Sequence, residues 1–203
     1  MRLWHSKRDA IGRPLPSAPR DPVPSRTPLY SRVPRNAGAL LGLDLEGRQL
    51  AVVLYTLGYE KRTIEEFIEI LRRAKVDTLI DVRDVPWSHK RDFAKSKLDA
   101  HLADAGIRYV HAGFAGNPKR LRAQGGTTSE LLTMYERHLD EHPEIVDRFR
   151  DLVATLDQEA RRPCIMCFER HPRDCHRSIL AARWKGRRRS LRVEHLGAEP
   201  PAV

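Results

Sequence analysis

The chain has 203 residues, enough for one sizeable hydrophobic core, and its 37 Lys and Arg against 27 Asp and Glu give a net charge of +10. No apolar run reaches the length of a membrane-spanning helix, and the first residues lead into no signal-peptide core, so a soluble, cytoplasmic protein with no membrane partner is expected. Its three cysteines all fall between Cys164 and Cys175, which does not make a disulfide framework and fits a reducing compartment.

The basic excess is uneven. Residues 1–50 hold nine Lys/Arg against four Asp/Glu, and seven of the fourteen prolines, from Pro14 to Pro34. Neither a helical nor a strand period survives that proline spacing, which predicts a disordered N-terminal extension over residues 1–50. One reading makes it a basic arm for nucleic acid or a partner. The other makes it sequence upstream of the true start, and is favoured because only Trp4 and Tyr30 are there to stack on bases.

A single α/β domain is predicted over residues 51–197, with a loose tail over 198–203. It opens with a strand at Ala51–Thr56, broken by Gly58. Thr63 with Glu66 forms a capping box, and Ile64, Phe67, Ile68 and Leu71 then recur at helical spacing to about Ala74. A second buried strand runs from Thr78 to Arg83 and ends in charge, with Pro86, Trp87 and Ser88 in the loop beyond. Leu98, Leu102 and Ala105 mark a helix stopped by Gly106, and Ile107–His111 is a third strand.

Between Ala112 and Thr128 lies a long loop rich in Gly, Arg and Lys. Thr127 and Glu130 form another capping box, opening a helix through Leu131, Tyr135 and Leu139. Pro143 starts the next helix, whose buried stripe is Ile145, Val146, Phe149, Leu152, Val153 and Leu156. A strand through Cys164–Phe168, a turn at His171-Pro172-Arg173-Asp174 and a helix carrying Ile179, Leu180 and Trp184 follow. Leu191–Leu196 reads as a last strand. Strands and helices in this alternation specify a mainly parallel sheet covered on both faces.

Ligands in such sheets bind beyond the carboxyl ends of the strands. Two strands end there in reactive side chains, one in Asp81 and Arg83, the other in Cys167 and Glu169. If those strands are neighbours, Asp81, Arg83, Ser88, Glu169, Cys175 and His176 converge on one cleft. Asp174 is the expected N-cap of the following helix, which puts Cys175, His176 and Arg177 in its first turn. The helix dipole would then favour an anion gripped by Arg177 and lower the pKa of Cys175.

Three blocks carry a resemblance: Gly58-Tyr59; Asp81-Val82-Arg83 with Pro86 and Ser88; and Cys167 with Glu169 followed by Cys175-His176-Arg177-Ser178. Over roughly residues 53–185 they resemble the bacterial and archaeal family catalogued as domain of unknown function 488, whose reaction is not established. The resemblance implies a Rossmann-like three-layer α/β fold and marks these positions without giving any of them a chemical role.

The leading functional expectation is a cleft that binds, and in an enzyme would process, a phosphate-bearing small molecule or a nucleic-acid end. Arg83, Ser88, Arg177 and Ser178 would hold the anion, and Asp81, Glu169, Cys175 or His176 would do the chemistry. The bland alternative for Asp81 and Arg83 is a buried ion pair. Rhodanese-like sulfur chemistry on Cys175 or Cys167 is second, since a strand ending in Asp-Val-Arg and a later cysteine before Arg-Ser are similar to those sulfurtransferases. Metal binding ranks third, because Cys164 and Cys167 share a strand and adjacent Cys175 and His176 are awkward ligands on one helical turn. That ranking expects no cofactor and well below one equivalent of zinc. A non-enzymatic nucleic-acid module using Lys119, Arg120, Arg122 and Arg187–Arg189 is the remaining class.

Overall fold

The β-branched and aliphatic runs of the sequence form five strands that hydrogen-bond into one parallel sheet, β3-β2-β4-β1-β5, in a computed structural model that describes residues 52–197. The strands are β1 (Val52–Gly58), β2 (Thr78–Asp81), β3 (Arg108–His111), β4 (Pro163–Cys167) and β5 (Leu191–His195). Six helices occur among the described residues: α1 (Ile64–Arg73), α2 (Lys95–Asp104), α3 (Lys119–Arg122), α4 (Thr128–Glu141), α5 (Pro143–Gln158) and α6 (His176–Lys185). The extension expected over residues 1–50 and the tail over 198–203 lie outside the described residues, as does Ala51.

Strand order decides which helices cover which face. The two crossovers from β1 through β3 lead one way along the sheet, and those from β3 through β5 lead back. Right-handed connections must therefore put α1 and α2 on one face and the later helices on the other. The packing follows this rule. Phe67 and Leu71 of α1 and Leu98 and Leu102 of α2 pack with Leu57, Leu79, Cys164 and Met166. Phe149, Leu152 and Val153 of α5 and Leu180 and Trp184 of α6 pack with Leu54, Ile80, Ile165 and Cys167. The result is a three-layer α/β fold.

Local signals account for most boundaries. Both capping boxes form: Thr63 accepts from the Glu66 N–H at 3.2 Å, and Thr127 from the Glu130 N–H at 3.3 Å, with each glutamate returning the bond. Gly106 takes a left-handed φ of 73° just past α2. The strand expected to reach Arg83 stops at Asp81, because the Arg83 N–H bonds the Asp81 carboxylate at 3.1 Å instead of continuing the ladder. The expected loop from Ala112 to Thr128 contains a tight turn at Gly113–Ala115 and the four-residue α3.

One boundary differs in a way that matters for the site. Asp174 is not the N-cap of α6. Pro172 starts a tight 3-10 turn over Pro172–Asp174, and the Cys175 N–H closes it onto the Pro172 carbonyl at 3.2 Å. Asp174 is used up inside that turn. Cys175 takes the cap position in an extended conformation (φ −131°, ψ 135°), and α6 starts at His176.

Candidate functional site

Strands β2 and β4 are neighbours, with Asp81 in register with Met166. Because side chains alternate faces along a strand, Asp81 projects to the α1/α2 side and Cys167, one position beyond Met166, to the α5/α6 side. The reactive side chains at this rim therefore divide into two groups on opposite faces of the sheet.

On the first face Asp81 is fully buried and holds Arg83 two-pronged, Nε to Oδ1 at 2.9 Å and a terminal nitrogen to Oδ2 at 2.6 Å. Tyr109 donates to the same Oδ2 at 2.7 Å. The other terminal nitrogen of Arg83 donates to the Tyr59 hydroxyl at 3.1 Å and the Phe93 carbonyl at 2.9 Å. Burial acts to lower the Arg83 pKa, but the Asp81 carboxylate outweighs it and the net direction is upward. Burial and then the Asp81 charge push the Tyr109 phenol up. This is the buried ion pair of the bland reading, with its carboxylate fully occupied and shut away from solvent.

On the second face β4 delivers Cys167, the loop beyond it Glu169, and the start of α6 Cys175 and His176. Their ligand-type atoms all lie within 4.8 Å of one another. Cys167 Sγ is 3.3 Å from Glu169 Oε2 and 3.6 Å from His176 Nδ1. His176 Nε2 is 3.2 Å from the Val82 carbonyl oxygen, which can only accept, so Nε2 carries the hydrogen. The Tyr135 ring stands edge-on to His176 at 5.0 Å, its hydroxyl donating to the Ala115 carbonyl at 2.7 Å. Burial pulls the His176 pKa down, but Cys175, Glu169 and the Val82 carbonyl outweigh it and the net direction is upward.

The expected lowering of the Cys175 pKa is overturned. Burial pushes the thiol well above its ordinary value, the neighbouring Cys167 adds to this, and His176 offsets only part. Cys175 is 1% exposed, so the loss of water outweighs any field from the helix start.

Arg177 is likewise not a free anion grip. It is 1% exposed, and its two terminal nitrogens donate to the carbonyls of Glu169 at 2.5 Å and Arg170 at 3.1 Å. The fork is occupied by the loop that presents Glu169. Ser178 donates to the Pro172 carbonyl, tying the tight turn to α6. Gly58 ends β1 opposite Cys167, and the Glu60 N–H donates to the Phe168 carbonyl at 2.8 Å.

A cleft of about 790 Å³ opens over both groups. Of the candidate site and motif positions, Tyr59, Arg83, Ser88, Cys167, Glu169 and His176 line it. Asp81, Cys175, Arg177 and Ser178 do not, and neither do Gly58 and Pro86. Ser88 accepts from Tyr59 at 3.2 Å and from the Lys90 N–H at 3.2 Å. The Pro86 carbonyl accepts from the Lys95 N–H at 3.1 Å.

The cleft also contains residues outside the set expected to converge there, of which Arg122 was expected only in a nucleic-acid module. Val85, Trp87 and Phe168 are 53%, 60% and 44% exposed, the large apolar side chains most open to solvent among the described residues. Lys90 and Arg122 line the same cleft, together with Asn117, whose amide oxygen is buried without a hydrogen-bond partner. Trp87 beside Lys90 in a loop following a strand end was a usable signal. Tyr109 was legible too, since strand alternation sets it on the face of Asp81, a buried charge in need of donors.

The family described as "Domain of unknown function DUF488" matches residues 63–184. No curated protein and no solved structure matches the chain.

Proposed function

We propose that this chain, which belongs to the DUF488 family, binds a phosphate-bearing ligand with a planar ring, a nucleotide or the end of a nucleic-acid strand, in the cleft at the carboxyl ends of β1, β2 and β4. The observation that carries this reading is the pairing of an aromatic rim, Trp87 and Phe168, with the cationic side chains of Lys90 and Arg122 around one cleft. A ring stacks on the aromatic faces, and a phosphate is drawn by Arg122 and by Lys90, which keep their charge while donating to the Asn117 and Arg62 carbonyls at 3.1 Å and 2.7 Å. Arg83 lends its charge from the wall rather than its fork. Asn117 supplies an acceptor for a ring N–H group. At the floor, Glu169, half-buried on the cleft side, is the group positioned to move a proton.

Sulfur chemistry is the second reading, and one observation favours Cys167 over Cys175 of the two cysteines expected to carry it. Cys167 lines the cleft with the His176 imidazole 3.6 Å from its sulfur, whereas Cys175 sits behind.

Titrating the full chain with a nucleoside monophosphate and with a short 5′-phosphorylated oligonucleotide tests the leading reading. Replacing Trp87 by Ala should weaken binding by roughly 5- to 150-fold, the worth of one stacked base. Replacing Lys90 by Ala should flatten the salt dependence. Absence of binding to both probes, or binding indifferent to both substitutions, would overturn it.

A further inference from the structure

We infer that Cys167, Glu169, Cys175 and His176 form a binding site for a soft divalent metal ion, zinc by preference, at the floor of the cleft. The inference goes beyond the ligand reading and does not rest on it.

The first argument is geometric. Zinc bonds sulfur at about 2.3 Å and imidazole nitrogen or carboxylate oxygen at about 2.0–2.2 Å in a tetrahedron, so its ligand atoms stand about 3.3–3.8 Å apart. Cys167 Sγ lies 3.6 Å from His176 Nδ1 and 3.3 Å from Glu169 Oε2, and no pair among the four groups exceeds 4.8 Å. Shifts of a few tenths of an ångström to about one ångström complete the tetrahedron.

The second argument is orientation. A metal-bound imidazole donates its other N–H to a fixed oxygen, which sets the tautomer and aims the lone pair. His176 does this through Nε2 to the Val82 carbonyl, leaving the Nδ1 lone pair directed at Cys167. The Glu169 loop is fixed in the same way. Its carbonyl is held by Arg177 and its backbone is pressed against Gly58.

The third argument is donor chemistry. Two sulfurs and one imidazole select zinc over magnesium or calcium, which take oxygen. Binding displaces the two thiol protons to solvent, and the dipositive ion neutralises the thiolates in a pocket where Cys167, Cys175 and His176 are buried. The objection from chain spacing falls away. Cys175 is extended rather than helical, so it and His176 can reach one point from adjacent positions. Cys164 is not part of the set, because it faces the other side of the sheet.

The arrangement also says what such an ion would do. Three of the four ligands line the cleft, so the ion is reached from the ligand's side. Glu169 is only half-buried and is the one that can yield its place to a water or a phosphate oxygen. Two cysteines and a histidine with one exchangeable position is an arrangement used for catalytic zinc.

The test uses the full chain, purified reduced, assayed for metal by mass spectrometry, then stripped with a chelator and titrated with cobalt(II). The expected result is one equivalent of metal. Cobalt should give a thiolate-to-metal charge-transfer band and the intense visible bands of a tetrahedral centre, both displaced by zinc. Cys164→Ser should retain the spectrum. Cys175→Ser should weaken affinity by more than about 100-fold, beyond what outer partners of a site carry. Should that variant not fold, Glu169→Gln on the cleft side should shift the visible bands while keeping the thiolate band. A cobalt complex without a thiolate band, loss of the site in Cys164→Ser, or a spectrum indifferent to Glu169→Gln would each overturn the assignment. Nucleotide binding is read separately through Trp87, so failure of one leaves the other standing.

Discussion

A β-carbon placed on Gly58 would stand 1.9 Å from the carbonyl oxygen of Glu169. That is far inside contact distance, and the atom it meets is backbone, so no side-chain rotation relieves it. The end of β1 and the loop carrying Glu169 touch only because position 58 has no side chain. Arg177 holds the same carbonyl from the other side at 2.5 Å. Gly58→Ala should therefore push the Glu169 peptide off its seat, at a cost of about 2–3 kcal/mol. For a chain of this size that is a fall of roughly 4–12 °C in Tm. A melt unchanged within about 2 °C would show that the loop yields without penalty.

The Asp81–Arg83 pair makes a prediction about stability. Asp81→Asn removes the charge but keeps the shape, leaving the Arg83 guanidinium, 7% exposed, without its counter-charge. Breaking a buried pair from one side costs about 3–5 kcal/mol. Replacing both partners, Asp81→Leu with Arg83→Met, should cost less than either single change, because no lone charge stays buried. Urea unfolding of Asp81→Asn, the two single changes and the double change checks this. A loss below about 1 kcal/mol in Asp81→Asn would mean that Arg83 reaches water once released.

Thiol reactivity separates the three cysteines. Burial pushes the thiols of Cys164 and Cys175 upward, and both are almost fully buried. Cys167 alone lines the cleft. After chelator treatment, an alkylating agent at neutral pH should label Cys167 first, with Cys164 and Cys175 modified only at the rate of unfolding. Peptide mapping of a time course reads the order. Labelling of Cys175 ahead of Cys167 would place its sulfur on the cleft side.

What the sequence made legible follows from how local each signal is. Thr63 with Glu66 and Thr127 with Glu130 act over one helical turn, and both boxes form where the spacing puts them. The parallel sheet follows from alternation alone. The adjacency of β2 and β4 does not, since residues 81 and 166 are brought into register by two intervening crossovers. That adjacency explains why Arg83, Glu169 and His176 reach one cleft. The expected single cluster becomes two because Asp81 and Cys167 stand one step out of phase on neighbouring strands. The roles given to Asp174, Cys175 and Arg177 differ from the structure for three separate reasons. Pro172 draws Asp174 into a tight turn and leaves the cap to Cys175, burial outweighs the helix field at Cys175, and the fork of Arg177, in the first turn of α6 as expected, is taken by two carbonyls.

Arg177 provides the last prediction, and it separates a structural arginine from a binding one. Its terminal nitrogens bridge two successive carbonyls, those of Glu169 and Arg170, and its side chain is enclosed between α6 and the end of β4. Arg177→Ala should remove two charge-assisted hydrogen bonds and open a cavity, together costing about 3–5 kcal/mol. Arg177→Lys should rescue little, because a single ammonium on a flexible stem does not span two carbonyls as a planar fork does. Arg122 contrasts with it: its side chain is 48% exposed, lines the cleft and leans on Asp84 at 3.8 Å. Arg122→Ala should leave the melt within about 0.5 kcal/mol of the parent chain. It should weaken binding of a phosphorylated oligonucleotide and lower the slope of log affinity against log salt by about one. Arg188→Ala, in the exposed basic turn after α6, should do neither. Thermal melts and salt-dependent binding of the four variants decide the point. If Arg177→Lys keeps full stability while losing phosphate affinity, Arg177 is a ligand contact after all, and the clamp on Glu169 is not what holds the loop.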